Sequence, residues 1–242
     1  MNFIIPMAGL GSRFVKAGYT LPKMLLEAKG KTLLEWSLSS LPLKLSTVIV
    51  FVGLKEHEDK FGLSAKIKTL YPSLNCRFIF LDQVTRGQAE TVYLSLGECD
   101  MELPLVIFNI DTYFYSSTLQ DALLNPSNDG VLGCFQSGED RFSFARLDKR
   151  DEYVVEVREK EVISDHALTG LYTFKRADDF RETYEYHKMH NLTAKGEFYI
   201  APMYNYLIEQ GKHYVLDEAD KHFILGTPEE YEQFLRTEIT QI

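Results

Sequence analysis

The sequence predicts an α/β fold, a Rossmann-like mixed sheet flanked by helices. Short apolar runs recur along the first half, at Phe3–Met7, Thr47–Val52, Arg77–Leu81 and Leu105–Ile110. Apolar residues at helical spacing stand between them. The composition is that of an ordinary globular chain, 45% hydrophobic and 25% charged over 242 residues, which excludes a disordered, collagen-like or simple coiled-coil chain. At roughly 150 residues per domain, the length fits one large domain or two small ones.

Phe3–Met7 reads as the first strand. Leu34, Leu38 and Leu41, spaced four and three, mark a helix face. Thr47–Val52 is β-branched and apolar throughout, as a strand buried on both faces requires. Residues 55–71 read as a helix that must end before Pro72. Arg77–Leu81 is a short strand, Ala89, Val92 and Leu96 share a helix face, and Leu105–Ile110 is the next strand. Strands alternating with helices imply a parallel sheet with helices on both faces.

Beyond about residue 130 the pattern changes. Phe142–Arg146 and Tyr153–Val157 flank the charged turn Asp148-Lys149-Arg150-Asp151, which predicts a β-hairpin. Leu168–Phe174 reads as another strand. Helices are predicted over about 176–190 and 197–210, the second from Ile200, Met203 and Leu207. Thr227 and Pro228 suit the N-cap and first position of a last acidic helix. No Gly/Ser linker divides the chain. It reads as one domain over 1–242, with a first half to about 130 and a second half over 131–242.

The net charge is −9. An acidic chain is a poor wrapper of nucleic acid and gains nothing at an anionic membrane. Phosphate would have to be bound by a few placed cations. Cys76, Cys99 and Cys134 are widely spaced, with no CxxC, so neither a zinc ribbon nor a disulfide framework is expected. Met1–Pro6 has no basic stretch and meets Pro6 after three apolar residues, and no run approaches a membrane span. These features lead us to expect a cytoplasmic protein.

The first strand runs into Met7-Ala8-Gly9-Leu10-Gly11-Ser12-Arg13-Phe14. Glycines after a strand let backbone amides approach phosphate. The dinucleotide fingerprint needs a third glycine where Phe14 stands, and the Walker pattern is absent. Arg13 within the loop and Pro22-Lys23 shortly after it add fixed cations beside those amides, a cradle suited to a triphosphate.

With these residues the sequence closely resembles the sugar nucleotidyltransferases, the nucleoside-diphosphate-sugar pyrophosphorylases. Gly9, Gly11, Ser12, Arg13, Pro22 and Lys23 match the family's opening motif. Gln83 and Thr85-Arg86-Gly87-Gln88-Ala89 stand where the family reads the nucleobase. Asp111 matches its metal-binding aspartate. Glu159-Lys160 with Thr169-Gly170-Leu171-Tyr172 resembles its sugar-phosphate segment, Gly196-Glu197 the segment that opens a helix, and Leu225-Gly226-Thr227-Pro228-Glu229 the late GTPE block. Two positions depart from the pattern. Ile224 stands where the family commonly has an acid completing the metal site. Asn109-Ile110, rather than a glycine, precedes Asp111.

The resemblance implies a GT-A-like nucleotidyltransferase fold whose second, hairpin-containing half binds the acceptor. It implies attack by a phosphate-bearing acceptor on the α-phosphorus of a nucleoside triphosphate, with pyrophosphate released. Arg13 and Lys23 would be catalytic, stabilising the leaving pyrophosphate and the α-phosphate. Met7, Ala8, Gly9, Gly11, Ser12, Gln83, Gly87 and Gln88 would bind the nucleotide. Asp111 would hold Mg²⁺. Glu159, Lys160, Gly170 and Glu197 would bind the acceptor. A sugar 1-phosphate is the expected acceptor and a small phosphorylated head group with a cytidylyltransferase reaction the alternative. Pyrimidine triphosphates are preferred because Gln83 suits a pyrimidine edge, and surface-polysaccharide precursor synthesis is the implied setting.

Two other readings compete. Asn109-Ile110-Asp111 loosely resembles the metal-binding segment of GT-A glycosyltransferases, but an already activated donor needs no pyrophosphate cradle. Ile224 would suit a non-catalytic, nucleotide-sensing subunit. Tyr184, Tyr186, Tyr199, Tyr204 and Tyr206 read as core or interface packing, with a wall of the second-substrate pocket as the alternative. Trp36 reads as core.

Overall fold

The computed structural model describes residues 1–239. β1 (Asn2–Pro6) runs through the glycine loop into α1 (Ser12–Lys16). A small hairpin, β2 (Glu27–Ala28) and β3 (Lys31–Thr32), leads to α2 (Leu33–Leu38). Thr32 and Glu35 form a reciprocal capping box there, which satisfies two orphan donors at the helix start. β4 (Val48–Leu54) is buried along its whole length. The helix predicted over 55–71 is two helices, α3 (Lys55–Phe61) and α4 (Leu63–Leu70), because Gly62 between them takes a left-handed backbone. β5 (Cys76–Leu81), α5 (Gln88–Tyr93) and β6 (Leu105–Phe108) complete the predicted alternation. β6 stops two residues earlier than the apolar run suggests. Just beyond β6 the Asn109 N–H still donates to the Gly170 carbonyl of β11, at 3.4 Å.

β7 (Thr112–Tyr115), α6 (Leu119–Leu124) and β8 (Gly130–Gln136) come next. The predicted hairpin is β9 (Ser143–Leu147) and β10 (Val154–Glu159), and the next predicted strand is β11 (His166–Phe174). α7 (Ala177–Met189) matches its prediction. The helix predicted from 197 does not begin there. The Phe198 N–H donates to Arg86 and the Phe198 carbonyl accepts from Ala89, so that stretch is held extended against the start of α5. Helical structure starts only at a short turn over Ala201–Met203 and continues as α8 (Tyr204–Glu209). β12 (Tyr214–Glu218), β13 (Lys221–Ile224) and α9 (Pro228–Arg236) end the chain's described part. Thr227 caps α9 as predicted, its side chain accepting from the Glu230 N–H at 3.3 Å.

The main sheet runs β5-β4-β1-β6-β11-β8-β12, with β5, β4, β1 and β6 parallel and β11 antiparallel to β6. β11 is where the sheet forks. β8 holds one of its edges, at both Ala167 and Tyr172. The other edge carries β9 at Ala167 but β6 from Leu171 onwards. The opening lies between them, at Thr169 and Gly170. A separate ribbon pairs β13 with β7 and lays Ile224 opposite Thr112, next to Asp111.

Alternation along the buried strands feeds two cores. Ile4, Val50 and Ile107 face α5, α7 and α8, packing on Val92, Phe180 and Leu207. Phe3, Ile5, Phe51 and Phe108 face α2 and α4, packing on Leu34, Leu38 and Ile67. A third cluster ties α9 to the glycine-loop region through Phe14, Trp36, Tyr113 and Phe234. Trp36 is core, as predicted, and its Nε1–H donates to the Ala28 carbonyl at 2.8 Å.

Candidate active site

Open α/β sheets bind ligands beyond the carboxyl ends of their parallel strands. Here that edge carries a two-lobed cleft. The first lobe, about 480 Å³, lies over the ends of β5, β4, β1 and β6. The second, about 240 Å³, lies over the fork in β11. Gln88, Asn109 and Asp111 line both and form the passage between them.

In the first lobe the glycine loop contributes Met7, Ala8, Gly9 and Gly11. Lys23 opens a short turn after Pro22, and its Nζ lies 3.3 Å from Asp111 Oδ2. Gln88 stands in the first turn of α5 and donates through Nε2 to Asn109 Oδ1. Gly87, before it, has φ +130°, and a Cβ there would sit 2.6 Å from the Phe198 carbonyl oxygen. Glycine is required at that position because the extended chain at Phe198 crosses directly against it. Gly170 meets a similar demand in the fork: with φ +88°, its missing Cβ leaves space for the Asn109 side chain, whose Nδ2 would otherwise be 2.5 Å away.

The second lobe is built by the hairpin, the fork and α9. Lys160 directly after β10 has φ +56°, an unfavourable backbone for a lysine, pinned by its N–H donating to the Phe142 carbonyl at 2.9 Å. Its ammonium donates to Tyr199 Oη at 2.8 Å and lies 3.6 Å from the Glu159 carboxylate. Burial alone would lower the Lys160 pKa, but Tyr199 and Glu159 outweigh it and the net shift is upward. Burial raises the Glu159 carboxyl against the opposing pull of Ser143, which donates to it, and of Lys160. Arg141, from the β8–β9 connection, pairs with Glu139 at 2.8 Å and with Glu230 of α9. Glu230 in turn accepts from the Gly226 N–H at 2.9 Å, beside Asp111.

Most of the residues singled out in the sequence line this cleft. Met7, Ala8, Gly9, Gly11, Lys23, Gly87, Gln88 and Asp111 line the first lobe. Arg13, Glu159, Lys160 and Gly170 line the second. Glu197 lines the first lobe rather than the second, because its segment is docked on the start of α5. Ser12 and Gln83 line neither; both are exposed. Ile224 does line the second lobe, so an apolar side chain stands where an acid was looked for. Several lining residues were not singled out in the sequence: His57 and Thr91 in the first lobe, Arg141 and Glu230 in the second. Arg141 lies in Glu139-Asp140-Arg141, which reads along the chain as a solvated charge run. Tyr199, read with the tyrosine-rich stretch as packing and only in the alternative as a pocket wall, lines the second lobe.

The model of the MobA-like NTP transferase domain matches residues 3–198. The chain belongs to the MobA-like NTP transferase family. It is thereby a nucleotidyltransferase, and the matched span carries every residue of the first lobe. A crystal structure named as the nucleoside-diphosphate-sugar pyrophosphorylase of Vibrio cholerae RC9 shares 38% identity, over 97% of this chain and 100% of that one, with a TM-score of 0.85. Two more distant structures share the fold. A Bacillus anthracis protein named as a putative glucose-1-phosphate thymidylyltransferase is 18% identical over 100% of this chain and 98% of its own, with a TM-score of 0.76. The inositol-1-phosphate CTP transferase of T. maritima is 16% identical over 96% and 94%, with a TM-score of 0.75. No curated protein matches the chain. Among the described residues no helix is long and apolar enough to cross a membrane.

Proposed function

We propose that this MobA-like NTP transferase moves a nucleoside monophosphate from a pyrimidine nucleoside triphosphate to a sugar 1-phosphate, releasing pyrophosphate. The observation that carries this reading is the passage between the two lobes. A glycine loop with Lys23 lies on one side of Gln88, Asn109 and Asp111, and Arg13, Arg141 and Lys160 lie on the other. The nucleotide occupies the first lobe and the acceptor phosphate the second, so the α-phosphorus and the attacking oxygen meet at the passage.

The attacking phosphate oxygen forms a bond to the α-phosphorus as the bond to the bridging oxygen of pyrophosphate breaks. Both groups are already anionic, so the protein needs no nucleophile of its own. Its work is positioning and charge stabilisation. Lys23 neutralises the α-phosphate and Arg13 the charge shared between attacking and leaving groups. Lys160, held in place by Tyr199, grips the acceptor phosphate.

Among the described residues no three His, Cys, Asp or Glu side chains converge on one point. A lone carboxylate, Asp111, with phosphate oxygens and waters fits Mg²⁺, which binds through one or two carboxylates and keeps several waters. Asp111 would hold it, and the ion would supply further charge neutralisation of the phosphates. The product is the kind of activated sugar that a surface-polysaccharide transferase consumes, and a supply of triphosphate places the reaction in the cytoplasm.

A grid of triphosphates against phosphorylated acceptors, with Mg²⁺, read by pyrophosphate release, tests this. Release with a sugar 1-phosphate and a pyrimidine triphosphate is expected. Release only with small phosphorylated head groups transfers the reading to that acceptor class. Triphosphate binding without release from any acceptor overturns the catalytic reading.

A further inference from the structure

A third cavity, of about 310 Å³, lies beside the second lobe, between α7, α8 and the chain over 192–199. Hydrogen bonds to main chain fix two of its sides. The Leu192 N–H donates to the His187 carbonyl at 2.9 Å and folds the chain back over the end of α7. Asn205 of α8 is held on β10, accepting from the Val157 N–H at 2.9 Å and donating to the Val157 carbonyl at 2.8 Å. Tyr186 and Tyr206 line the cavity with their rings stacked, centroids 4.1 Å apart. Tyr199 lines it as well, and it also lines the second lobe.

His187 lines the cavity from α7 and is only 7% exposed. Its Nδ1 bonds to the Thr183 carbonyl at 2.8 Å. A carbonyl oxygen only accepts, so Nδ1 carries the proton. Burial holds the ring pKa below its ordinary value, outweighing that bond, so the imidazole is neutral at physiological pH. Nε2 is then left with a free lone pair. Among the described residues nothing donates to Nε2, and the atom is not sealed from solvent. A nearly buried acceptor without a donor needs a reason.

The charge of this cavity differs from that of the cleft. Among the described residues Glu209 of α8 is the one acid in its lining, and no lysine or arginine lines it. Such a lining disfavours phosphate. It suits a cation, because tyrosine faces attract positive charge and a carboxylate completes the pairing. The two acceptors, His187 Nε2 and Glu209, call for a head with at least two N–H groups, which a quaternary ammonium lacks.

We propose that this cavity binds a small primary ammonium compound. Its N–H groups donate to His187 Nε2 and to Glu209, and its body packs on Tyr186 and Tyr206. Tyr199 links the site to the acceptor lobe. Its Oη accepts from Lys160 at 2.8 Å, and the Lys160 ammonium lies 4.6 Å from the centroid of its ring. A ligand against Tyr199 therefore bears on the residue that holds Lys160. This coupling rests on the transferase reading of the cleft; the binding does not.

The test is an NMR titration of the protein with ethylammonium, tetramethylammonium and acetate. Ethylammonium should bind. Tetramethylammonium has the same charge but no N–H, and it should bind about fivefold more weakly or worse, the value of one hydrogen bond. Acetate should not bind in the cavity. Glu209→Gln alters an exposed side chain, so the fold is kept, and it should weaken ethylammonium about fivefold. His187→Phe removes Nε2 and should have a similar effect. Equal affinity for the two cations, or unchanged ethylammonium affinity in Glu209→Gln, overturns the site. In the pyrophosphate-release assay, saturating ethylammonium should change KM for the sugar 1-phosphate about fivefold and leave KM for the triphosphate unchanged. An unchanged acceptor KM overturns the coupling. If no acceptor supports release, the transferase reading and the coupling fall together, and the titrations still decide the site.

Discussion

Lys23 Nζ lies 3.3 Å from Asp111 Oδ2, across the passage that joins the two lobes. A cation and a carboxylate are thus pre-placed at the point where a triphosphate would bring more negative charge. The pair is partly exposed, with side-chain exposures of 15% and 38%, so its own contribution to stability is small. Lys23→Ala should lower kcat/KM by about a hundredfold, the scale seen on removing one preorganised charge donor. Its Tm should stay within about 3 °C of the wild type. A large loss of Tm with turnover retained would make the pair structural. Asp111→Asn should weaken Mn²⁺ binding, measured by electron paramagnetic resonance in the presence of a non-hydrolysable triphosphate; unchanged Mn²⁺ affinity would move the ion elsewhere.

Gly87 tests the docking of the 197–198 segment on α5. A Cβ there would stand 2.6 and 2.7 Å from the Phe198 carbonyl oxygen and amide nitrogen, and both belong to backbone that cannot swing aside. Gly87→Ala should cost about 2–3 kcal/mol in urea unfolding, as strain and lost close approach do elsewhere. It should also displace Gln88 and Glu197 from the first lobe, raising KM for the triphosphate. Full stability in the variant would show that the crossing is looser than its contacts indicate.

Tyr199 holds Lys160, the residue proposed to grip the acceptor phosphate. Tyr199→Phe deletes the hydroxyl that accepts from the ammonium at 2.8 Å and keeps the ring. The lysine would then be free to turn towards Glu159 or solvent. KM for the acceptor should rise about threefold to tenfold, the value of one hydrogen bond. KM for the triphosphate should not change. An equal rise in both constants would place Tyr199 in general packing.

Asp217, which lines neither lobe, gives a pH signature of its own. Its side chain is buried on β12, with Oδ2 unpartnered among the described residues and Thr118 donating to Oδ1 at 2.7 Å. Burial raises its pKa, and Thr118 and Ser116 only partly offset this. A raised folded-state pKa means the folded protein binds the proton more tightly than the unfolded chain. The stabilisation is complete below the unfolded value and is lost as pH rises through the raised one. Asp217→Asn cannot titrate. Unfolding free energies measured from about pH 3 to 7 should therefore show the wild type losing ground to the variant as pH increases through the carboxylate range. Parallel curves would mean that Asp217 titrates normally.

The first half of this fold was readable along the chain. Its strands are short apolar runs and its helices carry periodic apolar faces, and both patterns reflect contacts that each element makes as a unit. The ribbon of β7 and β13, the pairing of β12 with β8 and the small hairpin of β2 and β3 were not readable. β7, β12 and β13 are four or five residues long and owe their strand form to distant partners, and β2 and β3 have only two residues each, too few for alternation to show. The helix foreseen from 197 failed for a related reason, since the Phe198 backbone is committed to Arg86 and Ala89, far back in the chain.

The sequence by itself determined the nucleotidyltransferase type of this protein. The glycine loop with Arg13 and Lys23 suits a triphosphate, and the resemblance of the ordered blocks, through Asp111 and Lys160, to the sugar nucleotidyltransferases implied the transfer. Only the tertiary structure decided how those groups are divided. The fork at Gly170 opens the second lobe, Arg141 reaches Glu230 across 89 positions, and Glu197 turns to the first lobe. It also left Gln83 outside the cleft and brought His57 to its edge. Local sequence encodes which groups are present. Which of them share a cavity depends on strand order, because neighbours in the sheet are set by pairing between segments far apart in the chain.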